Sequence, residues 1–224
     1  MKIGFVIADD NEYKPFLDFA LTQNGKESKR RSRDSVSFTY EGKELIAVKA
    51  GIGKVNAATT TAFLIADDNV DIILNFGLSG AVSGHCKNDL VAGSSYVECD
   101  FDLTAIGYPL GKKPQDTYIY KADKSLFDAA MTIKGISEAV CGCGDIFLTD
   151  AVKKNLYKDT FGITEFDMET GAIASVCYDA DIPFLAIRQI SDTADDAAVE
   201  SYRELNAKCE ATLTHIILEL LKKI

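Results

Sequence analysis

The sequence is poor in histidine: His85 and His215 are the only two in a chain of 224 residues. His85 lies in a stretch rich in glycine and serine, and His215 belongs to an amphipathic pattern with helical spacing. Neither has the neighbours that a nucleophilic pair or a tetrahedral zinc site requires. The shortage therefore argues against histidine-assisted nucleophilic catalysis and against a catalytic zinc centre.

Paired cysteine motifs are also missing. Cys141 and Cys143 are spaced C-x-C instead of the C-x-x-C of redox and zinc sites. The apolar run at residues 3–8 is too short for a secretion signal and leads directly into Asp9 and Asp10. We therefore expect reduced thiols, a cytoplasmic location, and neither a metal nor an organic cofactor.

The chain lacks both a long apolar run and a surplus of positive charge. No stretch approaches the roughly 18 residues that a membrane-spanning helix needs. Lys and Arg number 24 against 34 Asp and Glu, which gives a formal net charge of −10. Because nucleic acids and anionic membranes attract clustered basic residues, neither is an expected partner. The apolar content of 47% is typical of a globular protein.

Strand-like and helix-like segments alternate along the chain. Short apolar, β-branched runs predict strands at residues 2–8, 35–40, 45–50, 71–76, 90–99, 136–142, 163–167 and 183–190. Helices are predicted between them, the first capped by Asn11 and the last a single closing helix over 205–224. This alternation predicts an α/β fold, a three-layer α/β/α sandwich with a central mixed, mostly parallel sheet. Residues 25–34 are predicted to form an exposed loop, and residues 1–224 to form one domain.

Polar and glycine residues concentrate where the predicted strands end, at 9–12, 51–53, 77–80, 167–169 and 191–195. Ligands of open α/β sheets bind at this edge. Gly51-x-Gly53 is neither a dinucleotide fingerprint nor a P-loop, since Asn56 occupies the third glycine position. Asp167 with Glu169 is open to two interpretations, a helix cap or a ligand site. The same two interpretations hold for residues 191–195.

A series of motifs, in consistent order over nearly the whole chain, resembles 5′-methylthioadenosine/S-adenosylhomocysteine nucleosidases within the purine nucleoside phosphorylase-like superfamily. The motifs are the opening strand up to Glu12, AGIGKVNAA at 50–58, NFGLSG at 75–80, DLTAIGY at 102–108, GDIFL at 144–148, DMETGA at 167–172 and RQISD at 188–192. The resemblance implies a nucleoside phosphorylase-like fold. It also implies hydrolysis of the bond between N9 of adenine and C1′ of a ribose.

The resemblance assigns a role to each matching position. Asp192 would protonate N7 of adenine and Glu12 would deprotonate the attacking water, a division of labour that suits an oxocarbenium-like transition state. Glu169 and the backbone of Met168 would hold the ribose hydroxyls. The remaining implied contacts are Phe147 stacking on adenine, the Leu148 backbone reading its edge, Arg188 in the polar network around the water, and Asp167, Ser79 and Gly80 in the substrate site.

Several positions depart from the family pattern. Leu78 replaces a serine near the water, for which Ser79 is a partial substitute, and Asp167 replaces a glutamate. In the apolar pocket for the 5′ group, Ile52 keeps the family character, but Asp9 replaces methionine and Tyr202 replaces phenylalanine. Because buried polar groups need partners, these changes favour a more polar 5′ group, either a hydroxyl or the amino-acid tail of adenosylhomocysteine.

The resemblance also implies a homodimer, in which Leu103, Ile106 and Pro114 complete the pocket of the partner subunit. Three other functions stay open. A phosphorylase would use phosphate in place of water, although Asn75 and Leu78 replace the arginine and serine of hexameric phosphorylases. A binding protein could keep the fold without catalysis. A nucleosidase for another base or 5′ group, such as futalosine or inosine, is the third.

Overall fold

The computed structural model describes residues 1–114, 117–194, 198–207 and 211–224. At residue 207 it describes the backbone alone. Its strands are β1 (Lys2–Ile7), β2 (Lys26–Arg30), β3 (Arg33–Tyr40), β4 (Lys43–Lys49), β5 (Ile72–Ala81), β6 (Leu90–Glu98), β7 (Ile119–Lys121), β8 (Ile136–Cys143), β9 (Glu165–Asp167) and β10 (Phe184–Asp192). Its helices are α1 (Asp10–Thr22), α2 (Lys54–Ala66), α3 (Lys124–Met131), α4 (Ala151–Phe161), α5 (Thr170–Asp179), α6 (Ala198–Ala207) and α7 (Thr212–Leu221), with a 3₁₀ turn at Thr104–Ile106.

The strands form one mixed sheet in the order β10-β6-β8-β9-β5-β1-β4-β3-β2, with β7 paired to β6. Strand β10 also pairs with β5, so that β5, β10, β6, β8 and β9 close into a ring. The parallel pairs are β1–β4, β1–β5, β5–β10, β6–β8 and β8–β9, and the others are antiparallel. The parallel pairs bring the carboxyl ends of β1, β5 and β10 to one edge of the sheet.

Each face of the sheet carries an apolar core. Residues Ile3, Phe5 and Ile7 of β1 face one core together with α1, α3 and α7, whereas Val6 faces the other with α2 and α5. The alternation follows from the period of two in a strand. The α/β class, the three layers and the mixed sheet expected from the sequence are therefore confirmed. Within the described residues, no helix is both long and apolar enough to cross a membrane.

Residues 25–34 are not the loop that the sequence predicted. They contain β2, which pairs antiparallel with β3. Nearly all of β2 is exposed, so its sequence carries no apolar alternation from which a strand could be predicted. Arg30 fixes this hairpin to the body of the protein through an ion pair with Asp68, at 3.0 Å between Nε and Oδ1.

Three other boundaries differ from the predictions. Asp9, and not Asn11, caps α1, because its side chain accepts a hydrogen bond from the Asn11 amide and Glu12 completes a capping box. Strand β5 does not end at Phe76 but continues through both glycines to Ala81. Of the predicted closing helix, the described residues form the end of α6 and α7; Asp195 and Cys209 lie outside the described residues.

Candidate active site

A cavity of about 180 Å³ lies where the strands of the ring and β1 end. It is lined by Ala8, Asp9, Glu12, Ile52, Leu78, Ser79, Gly80, Ile146, Phe147, Leu148, Phe166, Asp167, Met168, Glu169, Ser191, Asp192, Ala194 and Tyr202. The loops and helix starts after β1, β4, β8, β9 and β10 all contribute to this set. The location agrees with the rule that ligands of α/β sheets bind at the carboxyl edge.

The predicted site residues fall into three groups. The cavity brings together Asp9, Glu12, Ile52, Leu78, Ser79, Gly80, Phe147, Leu148, Asp167, Met168, Glu169, Asp192 and Tyr202. Arg188 lies behind the wall, with 1% of its surface exposed. Leu103, Ile106 and Pro114 are not part of the lining. Leu103 directly precedes the 3₁₀ turn, Ile106 ends it with 69% of its surface exposed, and Pro114 follows it.

Five of the lining residues were not predicted as contacts from the sequence: Ala8, Ile146, Phe166, Ser191 and Ala194. Each is adjacent in sequence to a residue that was singled out, or one position further away. Their position near the end of a strand was therefore the only sign in the sequence that these residues line the cavity. Only the sheet geometry decides which of two neighbours faces the cavity.

Glu12 projects from the first turn of α1 towards β5. Its Oε1 accepts a hydrogen bond from the Leu78 amide at 2.8 Å, and its Oε2 accepts one from the Asp9 amide at 3.2 Å. Burial raises the pKa of Glu12 above its ordinary value, while the Arg188 charge and the two amides counteract part of that rise. The residue is therefore held in one orientation and suited to accept a proton.

Gly77 leaves the space in which Glu12 and Arg188 meet. A Cβ atom at this position would lie 2.5 Å from Nη1 of Arg188 and 2.6 Å from Oε1 of Glu12. Both distances are far below van der Waals contact. The absence of a side chain on β5 therefore allows the guanidinium and the carboxylate to approach the strand together.

Glu169 connects the start of α5 to the first glycine loop. Its Oε1 accepts a hydrogen bond from the Gly53 amide at 3.0 Å, and its Oε2 lies 3.7 Å from Nη2 of Arg188. Burial raises the pKa of Glu169 to about 7, although Arg188 opposes the rise. The carboxyl group thus lines the same cavity as Glu12.

Asp167 is bound to the start of α5. Its Oδ1 accepts hydrogen bonds from the amides of Glu169 and Thr170 at 2.7 and 2.8 Å, and its Oδ2 accepts one from the Thr170 hydroxyl at 2.6 Å. The same Oδ2 lies 3.4 Å from Nη2 of Arg188. Asp167 thus binds the amides at the start of α5 and also lines the cavity, so both interpretations stay open for it, whereas Glu169 is the acid that contacts the glycine loop.

Glu165 is a buried acid that the sequence motifs did not indicate. It is fully buried on β9, and its oxygens make no regular hydrogen bond among the described residues, although the Cys141 thiol and the Ser79 hydroxyl lie close enough to oppose part of the rise in its pKa. Burial, together with the nearby charge of Asp167, raises the pKa of Glu165 to about 8. Arg188 is the buried cation that faces Glu12, Glu165, Asp167 and Glu169. One positive charge cannot balance four carboxylates, so this cluster retains protons near neutral pH.

Asp192 ends β10 and is 4% exposed. Its Oδ1 accepts a hydrogen bond from the Ala194 amide at 2.8 Å, and its Oδ2 lies 2.7 Å from Oγ of Ser191. The Ser191 hydroxyl is also 3.1 Å from the Ser79 carbonyl. Because a hydroxyl has one hydrogen, Ser191 can donate to an ionised Asp192, or accept from a protonated Asp192 while it donates to the carbonyl. Both protonation states of Asp192 are thereby accommodated.

The other side of the cavity is aromatic. Phe147 is 43% exposed, and its ring packs edge-on against Tyr202 with 5.4 Å between the ring centres. Burial, and then the negative charges of Asp9 and Glu12, raise the pKa of the Tyr202 phenol well above its ordinary value. Asp9 is tolerated here because its Oδ1 accepts a hydrogen bond from the Asn11 amide at 2.7 Å. The two polar side chains that the sequence places near the 5′ group are thus Asp9, which caps α1, and Tyr202, whose phenol is neutral.

Comparison with known proteins identifies the superfamily and the family of this chain. The family model described as "Phosphorylase superfamily" matches residues 2–222. Among curated proteins, the chain is 32% identical to a 5′-methylthioadenosine/S-adenosylhomocysteine nucleosidase of Bacillus licheniformis, with 100% of both chains covered. It is 33% identical to one of Halalkalibacterium halodurans, with 100% of this chain and 99% of the relative covered. The chain belongs to the 5′-methylthioadenosine/S-adenosylhomocysteine nucleosidase family of this superfamily.

Solved structures of similar proteins have the same fold as this chain. A 5′-methylthioadenosine/S-adenosylhomocysteine nucleosidase from Helicobacter pylori, with butyl-thio-DADMe-Immucillin-A, has a TM-score of 0.95 at 27% identity, covering 100% of this chain and 99% of that one. A futalosine hydrolase from the same organism has a TM-score of 0.95 at 26% identity, covering 100% and 98%. The nucleoside phosphorylase-like fold implied by the sequence motifs is therefore confirmed.

Proposed function

We propose that this protein hydrolyses the N-glycosidic bond of an adenine nucleoside. The observation that carries the proposal is the convergence of three acids, Glu12 from α1, Glu169 from the start of α5 and Asp192 from the end of β10, on one cavity. The exposed ring of Phe147 lies on the same cavity. Acids surrounding an aromatic surface match the two parts of a nucleoside, a hydroxylated sugar and a flat base.

In the proposed reaction, a protonated Asp192 transfers its proton to N7 of adenine as the bond between C1′ and N9 breaks. The electron pair of that bond leaves with the base, so the base departs neutral and the sugar acquires oxocarbenium character. Glu12 removes a proton from the water that attacks C1′, and the products are adenine and the free sugar. Glu169 and the Met168 backbone hold the ribose hydroxyls, and the Leu148 backbone contacts the base.

Water is favoured over phosphate as the nucleophile. Among the described residues that line the cavity there is no lysine or arginine, whereas phosphate needs cationic donors. Arg188 is buried behind the wall beside Asp167 and Glu169. Asn75 is fully buried and donates a hydrogen bond to the Val6 carbonyl at 2.7 Å, which directs it away from a ligand. A phosphorylase is therefore the weaker candidate.

Asp9 and Tyr202 support a substrate with a polar 5′ group, either a hydroxyl or the amino-acid tail of adenosylhomocysteine. An ordinary methylthio group would leave both polar side chains without a new partner. The likeness to a futalosine hydrolase makes a nucleoside with another 5′ group, or a 6-oxopurine base, the second candidate. We also propose a homodimer in which Leu103, Ile106 and Pro114 reach the partner's pocket, and a cytoplasmic location that suits the free buried thiols.

The test is base release from adenosine, 5′-methylthioadenosine, S-adenosylhomocysteine, inosine and futalosine, each with and without phosphate, with the sugar product identified. Free sugar at a rate independent of phosphate is expected. Sugar 1-phosphate formed only with phosphate would instead identify a phosphorylase, and binding without turnover would identify a binding protein. Catalytic efficiency on methylthioadenosine equal to or above that on adenosine and adenosylhomocysteine would contradict the polar 5′ pocket.

A further inference from the structure

A polar residue ends an apolar row on β10. Leu185 and Ile187 belong to the core that also contains α1 and α7, and Gln189 is the next residue on that face. Gln189 is 4% exposed, and its carboxamide is not among the fully enclosed polar groups that lack a partner. A carboxamide is unfavourable at such a position unless its atoms reach a partner or a water, so a core position of this kind is ordinarily apolar. Gln189 therefore needs an explanation that packing does not provide.

A second, smaller cavity supplies one. It has a volume of about 20 Å³ and is lined by Asn11, Glu12, Leu78, Gln189, Leu205, Asn206, Leu213 and Thr214. Because a cavity needs about 10–15 Å³ to hold a water molecule, this one accommodates a single water. Its wall offers carboxylate, amide and hydroxyl groups, which provide the two to four polar partners that a buried water requires.

Glu12 and Leu78 are the two residues that line both cavities. The smaller cavity is therefore behind Glu12 with respect to the nucleoside site. Gln189 is paired in register with Leu78 on the neighbouring strand, so both side chains lie side by side at this rear wall. The Leu78 side chain has no hydrogen-bonding atom, and only its backbone amide contacts Glu12. Leu78 therefore leaves the rear of the carboxylate to the polar groups of the smaller cavity, among which Gln189 is the neighbour on the adjacent strand.

We propose that Gln189 is a positioning residue that holds a water molecule against the rear side of the Glu12 carboxylate. The proposal rests on the proposed function only for its catalytic consequence. A carboxylate has about four acceptor sites, of which the Leu78 and Asp9 amides occupy two. The water supplies a third donor, which fixes the orientation of Glu12 and favours its ionised form. The remaining site faces the nucleoside cavity and is available to the attacking water.

The first experiment is a crystal structure of the protein at about 1.5 Å resolution or better. We expect density for one water within hydrogen-bond distance of both the Gln189 carboxamide and the Glu12 carboxylate. A direct contact between the two side chains, or a cavity without that density, would overturn the proposal. This readout does not depend on any activity, so it remains decisive even if no substrate of the protein is cleaved.

The second experiment compares the pH dependence of kcat/KM in the native protein, in Gln189→Met and in Leu205→Met. Methionine keeps the length of glutamine but cannot hold the water, whereas Leu205→Met changes packing in the same cavity without changing its polarity. Loss of a donor raises the pKa of Glu12, so the acidic limb should move upward by about 0.5–1 pH unit in Gln189→Met alone. KM on the pH plateau should stay within twofold.

An unmoved acidic limb in Gln189→Met would overturn the positioning role, even if the variant is slower or melts earlier. An equal shift in Leu205→Met would assign the effect to packing and would also overturn it. A native protein that releases no base from any nucleoside refutes the proposed function, while the crystallographic test of the water still stands. The two failures are therefore distinguishable.

Discussion

The four acids around Arg188 differ in how well their oxygens are satisfied. Asp167 accepts three hydrogen bonds from the start of α5, and Glu12 and Glu169 each accept backbone amides. The oxygens of Glu165 make no regular hydrogen bond among the described residues and have the Cys141 thiol and the Ser79 hydroxyl as weak polar neighbours. The three acids that belong to the sequence motifs, Glu12, Asp167 and Glu169, are thus held by backbone amides. Glu165, which belongs to none of the motifs, is not.

Replacement of Glu12 by glutamine should reduce kcat by about 10²–10⁴-fold, the usual contribution of a general base. The amide keeps the shape of the side chain but cannot accept the proton from water. Melting temperature and nucleoside binding should change little, as measured by differential scanning fluorimetry and calorimetric titration. Glu41→Gln, at an exposed turn, is the matched control and should behave as the native protein. Full activity in Glu12→Gln would remove Glu12 from the mechanism.

Glu165→Gln tests the buried acid through stability. The pKa of Glu165 in the folded protein is about 8, above its ordinary value of 4.5. Its contribution to stability is fully present below about pH 4.5 and is lost as the pH rises through 8. The melting temperature of Glu165→Gln minus that of the native protein should therefore grow between pH 5 and pH 9. A difference that stays constant, or falls, with rising pH would contradict a protonated Glu165.

At the scale of elements, the decisive arrangement is the pairing of β5 with β10, which carries both glycines of the second loop as strand residues. The apolar runs of β1, β5 and β10 were predictable because they are buried on both faces. The continuation of β5 through Gly77 and Gly80 was not, since two glycines within four residues ordinarily indicate a turn. The side chains of Glu12, Arg188 and Asp192, distant in sequence, fill the space that these glycines leave.

Gly77→Ala should inactivate the protein and lower its stability by about 1–3 kcal/mol, the usual effect of overpacking. The new methyl group would displace Arg188 and Glu12, which both lie within 3 Å of its position. Circular dichroism melting and base release measure the two effects separately. Thr39→Ala, on the exposed side of β3, is the control. A variant with native activity would show that the two side chains can move apart without consequence.

At the scale of the whole molecule, the exposed segment around the 3₁₀ turn is the expected contact with a second copy. Ile106→Asp should convert a dimer into a monomer, because it places a charge at an apolar contact, and should reduce activity at least tenfold if the partner completes the pocket. Leu21→Asp, at another exposed apolar position on α1, is the control. Light scattering together with the rate decides the point. A fully active monomer would refute the shared pocket.

The fold class and the position of the site were predictable because alternation of elements and polar strand ends are both local patterns. The acids of the site were named from motifs for the same reason. Glu165 and Gln189 were not named, since each lies in a strand where only neighbouring strands determine what it faces. The contact of Asp167 with the start of α5 could be assigned only from the structure, which shows the three hydrogen bonds that its carboxylate accepts.

Strand β2 has a consequence for behaviour at high concentration. It ends the strand order, so it presents backbone groups that could pair with another molecule. Its sequence, KESKR, places Lys26, Lys29 and Arg30 along that margin. Natural sheets use such charges to prevent growth into fibrous aggregates, because stacked copies would align like charges. The segment with the least strand-like sequence is therefore also suited to discourage further pairing at this edge of the sheet.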